Sequence, residues 1–145
     1  MAGGDAALIA PDSSVLIAGA DPKHPFSRQA TAALVEVRDR GRLVAHTLAE
    51  TDSVLSSAAY HRAPARIAEY LRQFLDRPPV GIAPERYAEA VDELASAGIA
   101  GAAVYDGLIA LGARDAGIGL VRLDRRASRT YRRCGVEFSL LLPPD

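Results

Sequence analysis

The 145-residue chain is 49% hydrophobic and 24% charged with a net charge of −1, which excludes a disordered or fibrous protein and a molecule whose overall field seeks a polyanion. It reads as a single domain spanning residues 1–145, with no apolar run near the roughly 20 residues that a membrane span needs. The first residues, MAGGDAALIAPD, carry no basic n-region and too short an apolar run to read as a signal peptide, and the lone Cys134 excludes an internal disulfide, so the expected location is the cytoplasm, away from membranes.

Residues 6–10 predict a short buried strand ending at Pro11-Asp12, after which Ser13 and Ser14 begin a turn or helix. Ser27 is read as the N-cap of a helix to about Arg40, stopped by Gly41. Residues 43–46 predict a second strand. Leu48, Val54, Leu55, Ala58 and Ala59 then suit one face of a helix beginning near Thr47. Pro64 opens a helix whose Ile67, Tyr70, Leu71 and Phe74 fall at i, i+3, i+4, i+7, and Pro78-Pro79 ends it. A short extended piece covers residues 80–82, and Pro84 starts a helix with Tyr87, Val91, Leu94 and Ala95 on one side. Residues 102–116 predict a long helix finished by Gly117 and Gly119. A strand over 120–123, a basic helix over 125–133 and a last strand over 136–142 complete the chain. Short strands alternating with helices predict an α/β fold with a central, mainly parallel sheet flanked by helices.

Four carboxylates stand where this pattern turns from one element to the next. Asp12 follows the first strand and Asp124 a later one; in a parallel sheet, groups at the carboxyl ends of strands gather in one crevice. Glu50 lies in TLAETDSVL, and Asp106 in VYDGLIAL, with Ala102, Ala103, Ile109 and Ala110 as its helical neighbours. Each acid alone has a plain use. Asp12 and Asp124 suit helix N-caps, Glu50 a first-turn carboxylate, and Asp106 a buried partner for one arginine. Brought together they repel one another, and a hard divalent cation, Mg²⁺ or Mn²⁺, resolves the repulsion.

Residues 114–133 hold Arg114, Arg122, Arg125, Arg126, Arg129, Arg132 and Arg133 against Asp115 and Asp124, a local excess that reads as a phosphate-contacting face or a solvated helix surface. Among the histidines, His24 is read as a solvent-exposed loop residue and His46 as a structural polar residue. Tyr105 and Tyr131 read first as packing residues, with stacking on unpaired bases as the other use.

PDSSVLIAG around Asp12, TLAETDSVLS around Glu50, GAAVYDGLIALGAR around Asp106 and LDRRASRTYRRCGVEF around Asp124 stand together, in this order, over nearly the whole chain. In this the sequence resembles the PIN-domain nucleases, specifically the VapC-type toxins of toxin–antitoxin pairs. The resemblance implies a three-layer PIN-like sandwich and a Mg²⁺- or Mn²⁺-dependent endoribonuclease. It puts Asp12, Glu50, Asp106 and Asp124 on the family's four acidic positions and Ser14 on a hydroxyl that supports the metal's surroundings. It further implies an RNA substrate, a small VapB-like antitoxin and a homodimer. Arg125, Arg126 and Arg129 would then hold the RNA backbone at the mouth of the site. Arg122 departs from the family, which commonly has Ser or Thr there; it either neutralises the carboxylates or grips a substrate phosphate. The alternative reading is an RNA-binding or regulatory module without turnover. A receiver domain lacks support because no Lys follows Lys23, and a dehalogenase-like phosphotransferase because Ser14 stands where its second Asp would be.

Overall fold

In the computed structural model, residues 8–123 and 125–141 are described; Asp124, and the ends of the expected first and last strands at Ala6, Ala7 and Leu142, lie outside them. Strand β1 (Ile9–Pro11) leads into α1 (Ser13–Ala20), followed by α2 (Ser27–Arg40), α3 (Ala45–Leu55) and α4 (Pro64–Arg72). A 3₁₀ turn at Pro84–Arg86 opens α5 (Tyr87–Ser96), and α6 (Ala103–Asp115) leads to β2 (Gly119–Arg122). A second 3₁₀ turn, Arg125–Ala127, precedes α7 (Ser128–Cys134) and β3 (Phe138–Leu140). The three strands form a parallel sheet in the order β1-β2-β3, with Ala10 opposite Leu120 and Leu120 opposite Phe138.

Because side chains alternate across a strand, the sheet feeds two cores. Ala10, Leu120 and Phe138 join α6 residues Ile109, Ala110 and Ala113 and α7 residues Tyr131 and Cys134 on one face. Ile9 and Val121 join Val15 and Leu16 of α1, Leu34 and Val37 of α2, and Ile67, Leu71 and Phe74 on the other. The result is the parallel sheet flanked by helices that the strand–helix alternation predicted, in the three layers that the resemblance implied. Among the described residues no helix is long and apolar enough to cross a membrane.

Three local readings are corrected. Residues 43–46 are not a strand: Val44 makes one parallel bridge to Val80, and α3 begins at Ala45, so His46 is helical. In α5 the buried face is Ala90 and Leu94, while Tyr87 and Val91 are exposed. The Leu94 side chain lies where a Cβ on Gly107 of α6 would stand, so the missing side chain of a glycine selects which face of α5 turns inward. Ser27 is the first residue of α2 rather than its cap; Phe26 holds the cap position with no side-chain hydrogen bond.

Candidate acidic centre

The backbone N–H of Asp12 donates to Val121 O at 2.9 Å, which fixes Asp12 at the carboxyl edge of the sheet, beside the end of β2. There it caps α1, with Oδ1 accepting from Ser14 N at 3.0 Å and from Ser14 Oγ at 2.5 Å. The N-cap use is therefore real, but it accounts for only one of the carboxylate's two oxygens. Oδ2 accepts from the Tyr131 hydroxyl at 2.9 Å, and the residue is only 3% exposed. Ser14 Oγ in turn accepts from Leu123 N at 2.9 Å, so one hydroxyl ties the start of α1, the carboxylate and the end of β2 together.

Burial pushes the Asp12 carboxyl up to about 6. Hydrogen bonds from Ser14 and Tyr131 and from the Val15 backbone pull it down, and the charge of Asp106 pushes it up further. Asp106 is half-buried in the first turn of α6, where the positive helix end favours an acid. Glu50, half-buried on α3, accepts through Oε1 from Ser13 Oγ. Burial raises the Tyr131 phenol, and the charges of Asp12, Asp106 and Glu50 all add to that rise. Three acids from the start of α1, from α3 and from α6 thus act on one hydroxyl. Among the described residues no group of three or more His, Cys, Asp or Glu is spaced to hold a metal, and Asp124 lies outside those residues. Hard oxygen donors, one of them a carboxylate withdrawn from water, fit Mg²⁺ or Mn²⁺ in kind.

The arginine-rich stretch divides. Arg114 is bound through both terminal nitrogens to Glu93, at 2.6 and 2.9 Å, and donates to Cys134 O at 2.8 Å. Arg133 donates to Ala97 O, and Arg132 lies over the Phe138 ring. Arg122, at the end of β2, is 4% exposed with its guanidinium 4.9 Å from the centre of the Phe138 ring. Arg125, Arg126 and Arg129 are exposed on the turn and helix that follow β2.

Sequence reasoning missed Ser13 as the holder of Glu50 and Tyr131 as the donor to Asp12. Only the Ser-Ser pair directly after Asp12 could have signalled the first. Tyr131, expected to pack or to stack on bases, does pack, edge-on against Phe138, but its hydroxyl is spent on the carboxylate. His24 is half-buried rather than exposed, its Nδ1 accepting from Phe26 N. His46 stacks on Tyr105, and the two line a groove of about 340 Å³ with Ala49, Glu50 and Ser53.

No family model matches the chain. Ribonuclease VapC40 of Mycobacterium tuberculosis is 37% identical to it over 137 residues, which cover 92% of this chain and 99% of that protein. Among solved structures, FitAB bound to an IR36 DNA fragment superposes with a TM-score of 0.68 at 18% identity, over 92% of this chain and 95% of the other. FitAcB from Neisseria gonorrhoeae gives 0.64 at 19% identity, over 92% and 98%.

Proposed function

The chain belongs to the VapC family of ribonucleases, and from that premise we propose that it is the RNA-cleaving toxin of a toxin–antitoxin pair, dependent on Mg²⁺ or Mn²⁺. What supports the metal is the placement of Asp12: a carboxylate withdrawn from water at the sheet edge, with Asp106 and Glu50 in its field. A cation beside such a group offsets the cost of burying its charge and favours the ionised form. Asp12 and Asp106 would hold the ion, with Glu50 and Asp124 completing the set. When bound, a divalent cation acidifies a water and neutralises the non-bridging phosphoryl oxygens.

The chain's own residues prepare that chemistry. Ser14 and Tyr131 fix both oxygens of Asp12, so its orientation needs no adjustment when substrate arrives. Ser13 occupies Glu50 Oε1 and leaves Oε2 to accept a hydrogen bond from the attacking water. The water oxygen then bonds to phosphorus in line as the bond from phosphorus to the 3′ oxygen breaks; the water gives up a proton to solvent past Glu50 Oε2, and the departing 3′ oxygen takes one from solvent. The products are a 5′-phosphate and a 3′-hydroxyl. Arg125, Arg126 and Arg129 contact backbone phosphates beside the centre.

The protein works as one nuclease domain in the cytoplasm, as a homodimer and with a small antitoxin that covers the acidic centre. Ile67, Leu71 and Phe74 are not the surface for either partner, because they are buried in the chain's own core. Purified protein with Mn²⁺ cuts structured RNA to 5′-phosphate ends, and EDTA or Asp12→Asn stops it. Cutting at full rate in EDTA would overturn the metal assignment, and binding without any cutting would identify a module without turnover.

A further inference from the structure

Tyr105 is 53% exposed although it directly precedes Asp106, and its ring lies parallel to the His46 imidazole, 5.4 Å between centres and 8° between planes. His46 and Glu50 are four residues apart on α3, so they share one helix face about one turn apart. The stacked pair and Glu50 line the same groove of about 340 Å³, kept open by the small side chains of Ala49 and Ser53. An exposed tyrosine alone would need no explanation. A tyrosine held flat by a second ring, with half its surface still in solvent and a proposed water-orienting carboxylate in the same groove, has the form of a surface for a planar ligand.

We propose that the Tyr105–His46 pair is a stacking platform that seats one unpaired nucleobase of the RNA, beside the phosphate presented to the acidic centre. The proposal rests on the ribonuclease reading and adds to it the two residues that would seat one base. A base within a duplex already has both faces covered by its neighbours and cannot lie on the ring. Stacking on an aromatic side chain tolerates any base, so the platform selects for strandedness and not for sequence. His46 acts as a positioning residue, holding the Tyr105 ring at its angle, while Tyr105 makes the contact.

Two measurements test it. In steady-state cleavage of a single-stranded oligoribonucleotide with Mn²⁺, Tyr105→Leu raises KM about tenfold or more, the range expected when one base no longer stacks. Tyr105→Phe stays within about twofold of wild type, because its ring presents the same face. Both variants keep the wild-type melting temperature, since the side chain is half in solvent. The chain contains no tryptophan, so Tyr105→Trp adds a single reporter. Its emission is quenched on titration with the oligoribonucleotide in EDTA, and not by a duplex of the same sequence. Absence of quenching, whether RNA binds elsewhere or not at all, overturns the platform, as does an unchanged KM for Tyr105→Leu. Quenching by a protein that never cuts RNA would keep the platform and sink the nuclease reading; cutting unaffected by Tyr105→Leu would do the reverse.

Discussion

Tyr131 reaches back across 119 residues to donate its hydroxyl to Asp12 Oδ2 at 2.9 Å, joining the last helix to the end of the first strand inside the core. The bond favours the ionised carboxylate, which burial opposes.

Tyr131→Phe removes that donor while keeping the ring that packs against Phe138. The Asp12 carboxyl then rises beyond its value of about 6, and the acid limb of the pH–rate profile moves to higher pH. Leaving a buried acceptor short of a partner costs about 1–3 kcal/mol of stability. Cleavage rates from pH 5 to 9, together with thermal melting, check both. An acid limb that stays in place would detach Asp12 from the rate-limiting ionisation.

Asp12 should also destabilise the metal-free protein at neutral pH. Its folded value of about 6 lies above the unfolded value of 3.8, so between these limits the folded state holds a proton that the unfolded state has released. Stability therefore falls as pH rises through this window, by roughly 3 kcal/mol in all. Asp12→Asn, whose amide can donate to the tyrosine oxygen, should melt higher than wild type at pH 8 in EDTA and show little difference near pH 4. Mn²⁺ should raise the wild-type melting temperature and leave that of the variant unmoved. Equal melting of the two proteins at pH 8 in EDTA would contradict the charge burial.

How much of this was legible in sequence depended on range. The helix α4 was legible because its register is local, and Ile67, Leu71 and, in the turn just after it, Phe74 all enter the core. Asp12 was legible because Pro-Asp-Ser-Ser after an apolar run marks the end of a strand. The bond from Tyr131 was not, because nothing in residues 125–134 refers to a partner 119 residues away. Nor could counting arginines show that Arg114 is bound by Glu93, since the pairing depends on how α5 lies against α6. The extended reading of 43–46 failed because, among the described residues, strand propensity there meets only one bridging neighbour, Val80, before α3 begins.

Gly41 closes α2 at an extended φ of −93°, so its importance is space and not backbone freedom. A Cβ there would stand 2.5 Å from Ile9 O and 2.8 Å from Val37 Cα, backbone atoms of β1 and α2 that cannot swing aside. Gly41→Ala should cost toward the upper end of about 1–3 kcal/mol and lower the melting temperature by roughly 5–10 °C. Gly135 presents the opposite case, with φ at +70° and open space around it. Its alanine variant should lose only about 1 kcal/mol, from backbone strain. If the two variants melt alike, the close approach of β1 to the end of α2 is wrong.

The division among the arginines gives the sharpest contrast between binding and stability. Arg125, Arg126 and Arg129 are exposed next to the end of β2, whereas Arg114 spends its guanidinium on Glu93 and Cys134 O. Replacing Arg125 and Arg129 by alanine should weaken single-stranded RNA binding and reduce the slope of log K against log salt by about 0.7 for each phosphate no longer neutralised. Their removal should leave melting nearly unchanged, because neither side chain is buried. Arg114→Ala should do the opposite. RNA affinity and its salt slope should hold, while melting drops as Glu93 and the Cys134 carbonyl lose a donor that reaches both α5 and the end of α7, at a cost of about 1–2 kcal/mol allowing for partial exposure. Salt-titrated binding isotherms beside melting curves for the two variants separate these effects. A lowered salt slope in Arg114→Ala would mean that the basic stretch meets RNA as one continuous face after all.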